Sequence, residues 1–94
     1  MVEQGDILKI EGIKNCVLVV SKNVINESGC VIVCPIVSMS SATLSYPIGS
    51  DRYVICDNLR QLDLEARSYS HEGSVPLSHI IGIIDRVQSM FDYY

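Results

Sequence analysis

The chain has no tryptophan, one phenylalanine and three prolines in 94 residues. With aromatics at only 6%, Ile, Val and Leu must build its core. Basic residues are also scarce: seven Lys and Arg stand against eleven Asp and Glu, a net charge of −4. No basic run or tail exists, so the bulk electrostatic footprint of a nonspecific DNA binder is missing. A short basic groove on an acidic body stays open, because a few cations act locally while net charge sets solubility. No apolar run approaches the ~20 residues that span a bilayer. Internal repeats, linkers and low-complexity segments are absent. The length suits one small domain (residues 1–94), which excludes two packed domains or a large cofactor fold. So small a domain buries little surface, and a partner subunit is expected.

The opening Met1-Val2-Glu3-Gln4-Gly5-Asp6 lacks the basic and apolar regions of a secretory leader, so a cytoplasmic setting is expected. The four cysteines, Cys16, Cys30, Cys34 and Cys56, are then reduced thiols. Cys30-x-x-x-Cys34 has no second pair and no nearby His, so these thiols read as small core hydrophobes and no metal or other cofactor is expected.

Apolar runs mark the strands. Ile7-Leu8-Lys9-Ile10 follows the turn pair Gly5-Asp6, and Glu11 to Asn15 read as a compact connection. Cys16-Val17-Leu18-Val19-Val20 and Cys30-Val31-Ile32-Val33-Cys34 are continuous β-branched runs, predicted to be buried on both faces. Between them, Asn26-Glu27-Ser28-Gly29 is turn chemistry. Pro35 predicts a bend or an edge. A polar loop over residues 38–41 precedes a weaker strand within 43–48, and Arg52 to Cys56 form another strand. Residues 59–64 interleave polar and apolar side chains like a half-exposed strand, and residues 68–74 read as a polar stretch. From Pro76 the period changes: Leu77, Ile80, Ile81, Ile84, Val87 and Phe91 lay an apolar stripe along a helix, with Ser74 or Ser78 as alternative caps. This order predicts a mainly β protein with one helix: a small barrel of about five to six strands with a C-terminal helix packed on it.

The segment Cys56-Asp57-Asn58-Leu59-Arg60-Gln61-Leu62-Asp63-Leu64-Glu65-Ala66-Arg67 resembles the MazF/PemK family of toxin endoribonucleases. In that family a strand ends in C-D-Q, followed by x-R-x-[IL]-D-x-x-A-R. Here Asp57, Arg60, Asp63, Ala66 and Arg67 match, with Asn58 for the usual Gln. Gly5-Asp6-Ile7, Val17-Leu18-Val19-Val20 and Val33-Cys34-Pro35-Ile36-Val37-Ser38 also look like family segments. The resemblance implies an SH3-like barrel, a homodimer, and metal-independent cleavage of single-stranded RNA at short sequences. It further implies a cognate antitoxin whose disordered acidic tail occupies the RNA groove.

RNA carries its own nucleophile, the 2′-OH. A metal-free ribonuclease therefore needs a base for that proton, an acid for the leaving 5′-oxygen, and donors on the phosphate. The resemblance implies Asp57, Arg60 and Ser38 as catalytic residues, with Lys14, Lys22 and Arg67 binding RNA. Each has a second reading. Asp57 also suits a turn former, Arg60 a surface pair with Asp63 or Glu65, and Arg67 a structural ion pair. Ser38 suits a loop turn, while Lys14 and Lys22 suit a solvated surface. His71 and His79 read as structural or solvated. The family pattern is broken at Ile55, where PemK-type members have Arg, and at Asn15-Cys16, where Arg-Pro is usual. Those losses keep a second function in view: a catalytically impaired dimer of the same fold that binds an antitoxin peptide or RNA without cleavage. A third, poisoning of a topoisomerase-like target, rests on the aromatic end Phe91-Asp92-Tyr93-Tyr94.

Overall fold

Three apolar strands form the middle of the computed structural model: β1 (Asp6–Ile10), β2 (Val17–Val19) and β3 (Cys30–Val37). The structure describes residues 2–38, 44–91 and 93. The loop read at Met39, Ser40 and Ser41, the strand start at Thr43, and Asp92 and Tyr94 of the aromatic end lie outside them. β2 runs antiparallel to both neighbours, with Leu18 opposite Ile7 on one side and Cys34 on the other. Alternation sends Leu8, Ile10, Val17, Val19, Val31 and Val33 to one core and Ile7, Leu18, Cys34 and Ile36 to another. The first core is closed by Leu62 of β6 (Arg60–Asp63) and by Leu64. The second is closed by Val54 of β5 (Arg52–Ile55), Cys56 and Ile83 of α2 (Leu77–Gln88). Burial on both faces is therefore what the unbroken Val/Ile runs encode.

β3 continues through Pro35 because it changes partners there. Residues 30–33 pair with β6, and residues 36–37 pair with β5. The Ile36 N–H donates to the Cys16 carbonyl at 2.9 Å, so the Pro35 nitrogen points to the opposite side. That side is the gap between β6 and β5, and no ladder hydrogen bond is lost. The expected edge exists only as this local gap, which becomes one wall of the site described below.

Among the described residues the sheet has seven strands, in the order β4 (Ser45–Gly49), β5, β3, β2, β1, β7 (Tyr69–Ser74), with β6 on β3. It is an antiparallel sheet curled around two cores rather than a closed barrel. The strand beyond the expected number is β7, which occupies the polar stretch. Its side chains carry no hydrophobic alternation; its pairing with β1 is a backbone ladder, with a bulge between Ile7 and Leu8. The His71 Nε2 sits 3.2 Å from Asp6 Oδ1, and the other Asp6 oxygen accepts from the Glu3 N–H at 2.8 Å. A polar, charged edge of this kind also resists pairing with foreign strands.

The turn expected at Asn26 starts as a single helical turn, α1 (Asn23–Asn26), and ends at Gly29, whose φ of 91° suits a residue without Cβ. On α2 the apolar stripe divides. Ile80 and Ile83 are buried and Ile84 and Val87 pack against the core, whereas Leu77, Ile81 and Phe91 remain exposed. Pro76 takes the cap position with no side-chain cap, so neither Ser74 nor Ser78 fills that role. No helix among the described residues is long and apolar enough to cross a membrane.

Candidate functional site

The site grows from two connections that meet beside the Pro35 gap. The first joins β1 to β2. Gly12 turns the chain at φ 87°, and the Lys9 ammonium donates to the carbonyls of Ile13 (2.5 Å) and Lys14 (2.9 Å). Ile13 packs half-buried against the first core, which leaves Lys14 and Asn15 facing solvent. The second joins β5 to β6. Cys56 is buried and Leu59 half-buried, and the Asn58 N–H donates to the Ile55 carbonyl at 3.3 Å. Between those anchors Asp57 and Asn58 are exposed.

Arg60 begins β6 directly opposite Val33, and Pro35 lies opposite Val17. Together these elements enclose a cavity of about 210 Å³. Ile13, Val17, Val33 and Pro35 form an apolar floor, and Lys14, Asn15, Asn58 and Arg60 the polar rim. Among the described residues, neither Lys14 nor Arg60 offers its side-chain nitrogens to any hydrogen bond or ion pair. Asp63 accepts instead from the Glu65 N–H at 3.0 Å, so the surface pairing open to Arg60 is not formed with it. Among the described residues the Asp57 carboxylate likewise accepts no hydrogen bond, although Asp57 lies in the β5–β6 turn. Among the described residues, then, Lys14, Asp57 and Arg60 are all exposed and hold no side-chain hydrogen bond or ion pair.

The remaining candidates are arranged differently. Arg67 ends the 3-10 turn Leu64–Ala66, exposed and close to Gly12, in a shallow depression shared with Glu11 and Ser68. It forms no ion pair among the described residues, and it borders the same β1–β2 connection that carries Lys14. Lys22 lies beyond the opposite end of β2, where it precedes α1. Ser38 is exposed one residue past the Val37–Tyr53 pair, at the start of β5, while Asp57 follows its end. Continuing the register puts Ser38 level with Arg52, five residues before Asp57, up to roughly 16 Å at about 3.3 Å per residue.

Both buried thiols sit behind the β5–β6 turn. Burial, with smaller contributions from Cys56 and Asp57, pushes Cys34 up to about 12. Burial also raises Cys56, with the Arg86 guanidinium opposing it. They are protonated at neutral pH and unsuited to nucleophilic work. All four cysteines are free. Among the described residues no group of three or more His, Cys, Asp or Glu side chains is arranged to hold a metal ion. The two imidazoles are engaged elsewhere: His71 with Asp6, and His79 with Tyr46, whose hydroxyl is 3.1 Å from its Nδ1. The Arg86 guanidinium lies 4.8 Å from the centre of the Tyr46 ring.

In the sequence Asn15 and Asn58 read as turn residues and as departures from the family pattern, with no site role. Their common position on the rim is set by strand register, and the sole local signal was that each sits in a turn beside a charged residue.

A family model described as PemK-like, MazF-like toxin of type II toxin-antitoxin system matches residues 4–91. No curated protein sequence matches the chain. Among solved structures, an endoribonuclease in complex with its cognate antitoxin from a mycobacterial species superposes with a TM-score of 0.81 at 16% identity, covering 100% of both chains. A MazE-MazF structure from Deinococcus radiodurans gives 0.80 at 19% identity, covering 95% of this chain and 94% of that one. The Mycobacterium tuberculosis toxin MazF-mt6 gives 0.75 at 16%, covering 96% and 98%. At such identities these likenesses speak for the fold.

Proposed function

The chain belongs to the PemK-like, MazF-like toxins of type II toxin-antitoxin systems, and from that premise we propose that it is a metal-independent endoribonuclease cutting single-stranded RNA at short sequences. The observation that carries this reading is the pair of unpartnered cations, Arg60 and Lys14, over one cavity, three residues from an Asp57 whose carboxylate accepts no hydrogen bond among the described residues. In the reaction the 2′-oxygen attacks phosphorus, the bond to the 5′-oxygen breaks, and a cyclic phosphate and a 5′-hydroxyl result. Arg60 stabilises the charge gathering on the phosphoryl oxygens. Asp57 takes the 2′ proton or supplies one to the leaving oxygen. Lys14 and Arg67, on either side of the β1–β2 connection, hold neighbouring phosphates. Ser38 serves as a hydroxyl donor if the RNA runs along β5, and Lys22 contributes only to a longer substrate.

The same cations suit the acidic tail of a cognate antitoxin; the similar mycobacterial endoribonuclease is in complex with its cognate antitoxin. Exposed Leu77, Ile81 and Phe91 on and after α2 supply an apolar surface for a second copy, so a cytoplasmic homodimer is the working assembly.

One observation favours the second reading, a member of the fold that binds without cutting. Ile55 fills the position two before Asp57 as a half-buried aliphatic, and neither imidazole is free to assist Asp57. Folded, antitoxin-free protein incubated with mixed-sequence single-stranded RNA in EDTA decides between them. Fragments with 5′-hydroxyl ends, lost in Asp57→Ala, are expected. Intact RNA at micromolar protein contradicts cleavage, and retained binding then supports the second reading.

A further inference from the structure

The cavity beside Arg60 has a floor that a phosphate does not need. Ile13 and Pro35 offer it half-buried aliphatic surface, with Val17 and Val33 behind them. A phosphate gains from donors and charge, not from such a surface. At about 210 Å³ the cavity is smaller than the ~300–1,000 Å³ of sites for drug-sized ligands, so it suits a single flat ring system. Two primary amides, Asn15 and Asn58, stand on its rim, both exposed and neither side chain bonded among the described residues.

We infer that this cavity receives one unpaired RNA base, with Asn15 and Asn58 reading its edge. The ring lies against Pro35 and Ile13, and Lys14 and Arg60 hold the phosphates that flank it. The inference rests on the RNA-cleaving reading above and adds to it the residues that select sequence. Among the described residues no aromatic side chain lines the cavity, so ring contact is aliphatic, supplemented by the Arg60 guanidinium plane, which is an established kind of stacking partner for unstacked bases. Each amide carries one acceptor and two donors and can meet a base edge with a donor–acceptor pair. A well-made pair of this type discriminates about 5- to 150-fold against the wrong base, the equivalent of ~1–3 kcal/mol.

The test is end-sequencing of a random single-stranded RNA pool cut by the wild type, Asn15→Ala and Asn58→Ala. Both side chains are exposed and unbonded, so alanine is expected to leave stability within about 0.5 kcal/mol, which thermal melting checks. The wild type should show a preferred base at one position near the cut. That preference should flatten by about fivefold or more in at least one variant, while the best sequence is still cut at a rate within about tenfold. Unchanged preferences in both variants overturn the proposal. A second readout separates it from the cleavage reading: a 2′-deoxy oligonucleotide lacks the nucleophile and stays intact during an NMR titration. The side-chain amide signals of Asn15 and Asn58 should move. If other residues respond and these amides do not, the base pocket fails; moved amides with uncut RNA sink the cleavage reading and leave the pocket standing.

Discussion

The two ends of β2 carry similar numbers of polar side chains and use them in opposite ways. At the end that leads to α1, Ser21 and Asn26 satisfy each other, and Ser21, Asn26 and Gln4 all bond to the backbone. The Ser21 hydroxyl donates to Asn26 Oδ1 at 2.5 Å and accepts from the Ile32 N–H at 2.9 Å. Asn26 donates back to the Ser21 carbonyl at 3.0 Å, and the Gln4 amide donates to the Val20 carbonyl at 2.8 Å. At the other end, Lys14, Asn15, Asn58 and Arg60 ring an apolar cavity and hold none of their side-chain groups in such bonds among the described residues. Polar groups consumed internally fix a fold; polar groups left over at a concave surface are available to a ligand. The contrast, more than any single residue, is what supports the proposal of a site at the Lys14 end.

The sharpest attempt to break this contrast is Arg60→Ala. Removing a preorganised donor to a charged transition state typically lowers turnover about 10²–10³-fold. Because Arg60 is exposed and unpaired, the melting temperature should hardly move, and parallel kinetics and calorimetry read both effects. Asn26→Ala is the mirror experiment. It strips a buried hydroxyl of its partner and should cost about 1–3 kcal/mol of stability by chemical denaturation, with cleavage by the folded fraction retained. The smallest effect separates the two lysines. In binding to an uncleavable single strand, Lys14→Ala should reduce the slope of log affinity against log salt by about 0.7, the share of one phosphate contact. Lys22→Ala should leave that slope alone for a short oligonucleotide; an equal loss would extend the RNA path past α1.

Much of the fold was legible because it depends on runs and periods. The unbroken Val17-Leu18-Val19 and Val31 to Cys34 segments announced strands covered on both faces, and the switch to three-and-four spacing after Pro76 announced α2. β7 was illegible for a physical reason: its side chains bury nothing, and its place is set by the backbone ladder to β1. The outward turn of Leu77 and Ile81 was hidden too, since a stripe in sequence does not say how much of it one subunit covers. For the site, Asp57 and Arg60 came from the resemblance of one segment. The meeting of Lys14 with Arg60 did not, because it depends on the β2–β3 and β3–β6 registers, which no local pattern of charges specifies. Ser38 shows the converse: a family match whose distance from Asp57 along β5 only the strand pairing reveals.

Hydrogen exchange with and without an uncleavable single-stranded oligonucleotide tests the central claim directly, since it asks which end of β2 meets the ligand. Slowed exchange is predicted over residues 12–16 and 56–61, with residues 21–27 unchanged. Protection confined to residues 21–27, or oligonucleotide binding that slows neither of the first two segments, would contradict the account.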